Sequence, residues 1–197
     1  SSNKVIQKTF DSGFWLAILF IIEPSSILFL VLLYAAILLQ QKANIHTLIS
    51  PIIGFLTPLF IYFSYLFWKG ATESFTKLFE FNISNNYINF SDSPLNYFLA
   101  AITLLSLFSF FIKSPKALSV NNSFKKSWIL LIINLLIAII LVIINPKGNG
   151  IGYCFLFVPT SIIMANGFEV IQNKIIKNII IGIIFLSVLF TFFSTTT

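Results

Sequence analysis

The chain has 197 residues, 12 of them basic and six acidic, which gives a net charge of +6 with 57% apolar side chains. Soluble domains carry about a quarter charged residues, so 9% charge and a mean hydropathy of +0.96 exclude a water-soluble globule. All the basic residues are lysines, set in short runs between long apolar stretches, a pattern of membrane loop ends that excludes a nucleic-acid surface.

The first apolar stretch, Phe14 to Leu39, is broken by Glu23-Pro24-Ser25-Ser26. Proline ends or kinks the helix before it, and Ser25 or Ser26 can cap the helix that follows. At 1.5 Å per residue, Phe14 to Ile22 reaches about 14 Å and Ser26 to Leu39 about 21 Å. Neither spans a hydrocarbon core of about 30 Å. Two readings are open: one kinked crossing, or a broken helical hairpin whose ends share a side. Loop lysines favour the hairpin. It places nine inside, Lys8, Lys42 and Lys113 among them, against Lys69, Lys77 and Lys147 outside. A single crossing would give seven against five.

Five further spans are predicted: Leu48 to Trp68, Leu95 to Ile112, Trp128 to Ile144, Ile151 to Phe168 and Ile175 to Phe193. Trp68 and Trp128 mark span ends, where an amphipathic ring favours the headgroup level. Pro51, Pro58 and Pro159 fall inside spans, as membrane helices tolerate. The predicted fold is therefore an all-α polytopic integral membrane protein, five transmembrane helices plus an N-terminal broken hairpin. It forms a single transmembrane domain. The opening Ser1-Ser2-Asn3, with no Met, suggests a fragment.

Few residues offer chemistry. Glu23 is ionisable within an apolar stretch and so is a functional candidate; alternatively it caps the second arm from the hairpin tip. Asn145-Pro146-Lys147-Gly148-Asn149-Gly150, followed by Tyr153, could hold an anionic head group through backbone N–H groups and the Lys147 charge. It is equally a good turn sequence. Between Lys69 and Pro94, Phe75, Leu78 and Phe79 share an i, i+3, i+4 face, which predicts a short amphipathic helix on the membrane surface. Under the hairpin topology these three features share the external side. Cys154, alone among apolar neighbours, reads as a buried inert thiol, and His46 as a solvated residue at a loop end. No metal or cofactor is expected, and no catalytic residue is assigned.

The stretches Phe14-Trp15-Leu16-Ala17-Ile18-Leu19-Phe20 to Pro51-Ile52-Ile53-Gly54-Phe55, and Ile144-Asn145-Pro146-Lys147 through Phe155-Leu156-Phe157-Val158-Pro159 to Asn166-Gly167-Phe168-Glu169, resemble an uncharacterised multi-pass membrane family of the Bacteroidota. That family is a domain of unknown function with no activity to carry over; its members are longer at the N-terminus, so the resemblance implies that this chain is the C-terminal part of a longer protein. The short helix, Pro break and second short helix, with a later loop into a helix bearing Tyr153 and Pro159, are also similar to the membrane half of GT-C type glycosyltransferases.

The second resemblance implies a polyprenyl-phosphate ligand, an external cleft and a role in envelope assembly at a bacterial inner membrane. Lys147 and Tyr153 would contact the phosphate, with Glu23 at the cleft edge. Those enzymes carry an acidic catalytic residue in their first external loop, and nothing in this sequence matches it. The resemblance therefore implies an incomplete or non-catalytic module. Rival readings are a scaffolding subunit of a membrane complex and a transporter.

Overall fold

The computed structural model describes residues 2–40, 43–80, 94–119, 121–144 and 151–171, with 175, 177–178, 181–182 and 185–186. Among these every element is helical. Helix α1 (Ser2–Ile22) leads through a 3-10 turn (Pro24–Leu28) into α2 (Phe29–Leu39) and then α3 (Ile45–Trp68). A short α4 (Glu73–Thr76) runs into a 3-10 turn (Lys77–Phe79), and α5 (Pro94–Ser119), α6 (Asn122–Ile144) and α7 (Ile151–Val170) follow. The chain forms two compact units, one of Ser1–Ser84 with Ile139–Lys147, the other of Asn85–Ala138 with Gly148–Thr197.

Four helices among the described residues, not five, are long and apolar enough to cross a membrane: Lys4–Ile22, Ile45–Trp68, Asn122–Ile144 and Tyr153–Val170. Three coincide with predicted spans. The predicted Leu95 to Ile112 lies on the 26-residue α5, of which Ala101–Ser114 is the apolar run among the described residues. The predicted Ile175 to Phe193 falls largely outside the described residues.

The gain is α1, expected as an arm of about 14 Å from Phe14 and found as a 21-residue helix of about 32 Å. Lys4, Lys8 and Asp11 interrupt the apolar run in sequence, but at i, i+4, i+7 they share one exposed side of the helix. Thr9, Gly13, Leu16, Ala17 and Phe20 form its buried side. The helix thus continues through the polar residues because its packing face does.

Small residues let α1 and α3 meet closely. Thr9, Gly13 and Ala17 recur every four residues on α1, and Ser50, Gly54 and Pro58 do so on α3; all six are buried. A Cβ at Gly13 would lie 2.1 Å from the Pro51 carbonyl oxygen, and one at Gly54 2.2 Å from that of Phe10. Ser50 Oγ also donates to the Ile6 carbonyl at 2.9 Å. Apolar burial alone does not hold helices together in lipid, so this close packing and the cross-helix hydrogen bond carry the association. A capping box starts α3. The Asn44 side chain accepts from Ile45 N–H at 2.7 Å, and the Thr47 hydroxyl accepts from Asn44 N–H at 2.8 Å.

The second unit is built around α5 and α7. Ser106 and Ser109 are buried on α5, and a Cβ at Gly167 of α7 would lie 2.5 Å from Ser109 Cβ. Pro159 removes one N–H from α7. Next to it, the buried Thr160 hydroxyl donates within its own helix to the Leu156 carbonyl at 2.8 Å and lies 3.1 Å from that of Phe157. Cys154, expected to be buried, is exposed on α7; an apolar sequence neighbourhood in a membrane helix does not distinguish lipid-facing from protein-facing positions.

Candidate functional site

At one end of the first unit the chain breaks at Glu23, whose backbone is extended (φ −137°, ψ 98°). Its N–H continues the α1 ladder to the Leu19 carbonyl at 2.8 Å, and its own carbonyl accepts from Ser26 N–H at 3.0 Å. The Glu23 carboxylate does not cap the 3-10 turn through its side chain; it accepts from Ser25 Oγ at 2.5 Å. Glu23 is half-buried at this tip, while Ser26 is fully buried with its hydroxyl unpartnered. The charge therefore sits at the turn between two helices, not in the middle of a crossing.

The predicted amphipathic segment folds onto the same end. Phe75 lies 5.1 Å from Phe63, and Phe79 lies 5.6 Å from Phe20, ring centre to ring centre. Leu78 is buried with Ala17, Phe20 and Leu59, and Ile27 packs against that cluster. The apolar face forecast for a membrane surface thus packs down on the ends of α1 and α3, leaving Glu73, Lys77 and Glu80 exposed.

Of the other predicted site residues, Tyr153 occupies the first turn of α7, half-buried in the second unit. Lys147 and the rest of the loop 145–150 lie outside the described residues. The proposed grouping of Lys147, Tyr153 and Glu23 is accordingly a matter for experiment.

A feature that sequence reading missed lies between α1 and α2. After the Glu23 break α2 runs back beside α1, so that Leu19 and Phe29 line one end of a shared groove and Val5, Lys8 and Gln40 the other. The groove holds about 590 Å³, and its walls are mainly Trp15, Leu16, Leu32, Leu33, Ala36 and Ile37. At its far side α2 also reaches α3. The Tyr34 hydroxyl donates to the Leu48 carbonyl of α3 at 3.1 Å, drawing α2 toward the start of that helix. Its polar members are Lys8, Thr9, Ser12 and Gln40, so the half toward Glu23 is apolar; Thr9 Oγ1 and Ser12 Oγ are engaged with the Ile6 and Lys8 carbonyls at 2.8 and 2.7 Å.

A second, smaller hollow of about 440 Å³ lies between α1 and α3 and brings Gln7 and Asp11 together with His46. His46 is exposed there, as expected of a loop-end residue. In the second unit Lys113 Nζ pairs with Glu169 at 3.0 Å and lies 5.8 Å from the centre of the Phe124 ring. Trp128 stacks between Phe124 and Phe110 at 6.2 and 6.3 Å, with its indole nitrogen buried and unpartnered. No group of three or more potential metal ligands occurs among the described residues.

A family model matches residues 1–197, the whole chain. The chain belongs to a family of unknown function, DUF6427. No curated protein and no solved structure matches it. Membership agrees with the resemblance to a domain of unknown function and assigns DUF6427 no chemistry.

Proposed function

We propose that this DUF6427 protein is an integral membrane protein that holds the apolar tail of a lipid-like ligand between α1 and α2. The groove carries the reading. Its volume lies in the range of about 300–1,000 Å³ typical of ligand sites, and it combines apolar walls with a few polar groups at one end. The resemblance to GT-C enzymes supplies the finer identity: a non-catalytic module that presents a polyprenyl-phosphate carrier during envelope assembly in a bacterial cytoplasmic membrane.

Native mass spectrometry of protein released from mild detergent tests the reading. Wild type should retain a lipid, and Ala36→Phe, which fills the groove wall, should lose most of it. Equal retention by both would rule out the groove as the lipid site. If lipid retention falls instead in Lys147→Ala, the head group belongs at the loop before Tyr153. Recovery of a stoichiometric protein partner with no retained lipid would replace the proposal with the scaffolding role.

A further inference from the structure

We infer that the occupant of the α1–α2 groove is an anionic lipid whose phosphate lies at the Lys8 end, an inference that rests on the groove reading above. The two ends of the groove differ in charge. At the turn end the nearest ionisable group along the chain is Glu23, an acid, which would repel a phosphate. At the other end Lys8 lines the groove and makes no ion pair among the described residues. Asp11, three residues on along the same exposed side of α1, lines the hollow between α1 and α3, whereas Lys4, one turn before, adds a second positive charge on that side. Gln40, from α2, adds amide donors across the groove from Lys8.

Length agrees with this direction. Lys8 and Leu19 stand about 16 Å apart along α1, close to half of a hydrocarbon core of about 30 Å. A phosphate held by Lys8 at the headgroup level therefore leaves one leaflet's depth of apolar wall for a single chain. Lys8 can reach the headgroup region on its flexible stem while its methylenes lie along the groove. This places the head at the end of the first unit opposite Glu23, not at the Glu23 tip where the external cleft was expected.

Trp15 lines the groove and reports on it. The experiment reconstitutes the full chain in phosphatidylcholine vesicles and measures quenching of Trp15 by brominated phosphatidylglycerol or brominated phosphatidylcholine, with Trp15→Phe defining its share of the signal. Wild type should favour the anionic lipid by about fivefold, the effect of one lysine near a lipid surface. Lys8→Gln should abolish that preference and Lys8→Arg should keep it. Equal quenching by both lipids in wild type, or a preference unchanged in Lys8→Gln, overturns the inference. Ala36→Phe separates the two claims: it should lower quenching by both lipids, whereas Val31→Phe, on an exposed position of α2 outside the groove, should not. No effect of Ala36→Phe on either lipid would sink the groove reading itself.

Discussion

The two compact units each join a pair of long helices through small residues, yet different atoms meet in the two crossings. Between α1 and α3 the neighbours of Gly13 and Gly54 are backbone atoms of Pro51 and Phe10. Between α5 and α7, Gly167 meets Ser109, largely through its side chain. A side chain can be trimmed by mutation; a backbone cannot. The first crossing is therefore intolerant of any added volume, whereas the second is adjustable. That rigidity gives the α1–α2 groove one fixed wall, and the Tyr34 hydrogen bond to Leu48 ties the other wall to α3.

The strongest way to break this contrast is Gly54→Leu. It should cost about 3 kcal/mol or more, at the upper end of overpacking penalties, and no single change at Phe10 should restore it. Thermal unfolding in detergent would show whether a rescuing substitution at Phe10 exists, which would equate the two crossings. Gly167→Ala should cost about 1–2 kcal/mol and be partly recovered in the double variant with Ser109→Gly, since Ser109 Cα also lies 2.9 Å from the added Cβ. Additive losses in that pair would mean that Ser109 is not what Gly167 makes room for. Tyr34→Phe removes one hydrogen bond within the membrane, worth about 0.6 kcal/mol. Its clearer signature is a wider spread of distances between spin labels placed at residues 12 and 38; an unchanged spread would remove the tether. Lys113→Gln, in the second unit, should change stability by less than about 1 kcal/mol because Glu169 is largely exposed. A larger loss in the same unfolding assay would mean that the Lys113–Glu169 pair helps to hold the second unit together.

Cysteine labelling sharpens the path of the chain. With Cys154 replaced by Ser, labels at residues 4 and 44 should react from one side of the membrane and a label at residue 25 from the other. Opposite accessibility of 4 and 44 would restore the single kinked crossing.

Hydropathy revealed the helical membrane class and three of the four long helices, since twenty-residue apolar runs need no partner to be recognised. It misplaced the start of α1 because a linear count treats Lys4, Lys8 and Asp11 as interruptions, whereas on a helix they share a side. The spacing of Thr9, Gly13 and Ala17 against Ser50 and Gly54 was present in the sequence, but which two helices such small residues bring together is not local information. Glu23 was visible as an oddity and its tip position follows from Pro24. The groove was not legible, because Leu32, Leu33, Ala36 and Ile37 belong to a helix apolar all round, and nothing local says which side faces α1. The hydrogen bond that ties α2 to α3, from Tyr34 to Leu48, is a contact between residues 14 positions apart.

The seating of α1 also bears on how the protein is made. Its mean hydropathy of 1.5, against 3.1 for α6, and its exposed lysines and aspartate make it a weak insertion sequence by itself. The partner that completes its small-residue face, α3, leaves the ribosome only after α2 has emerged. During synthesis α1 must therefore wait in the bilayer without its mate, and a nascent chain stalled before residue 45 should be easily extracted, whereas one that includes Gly54 and Pro58 should resist.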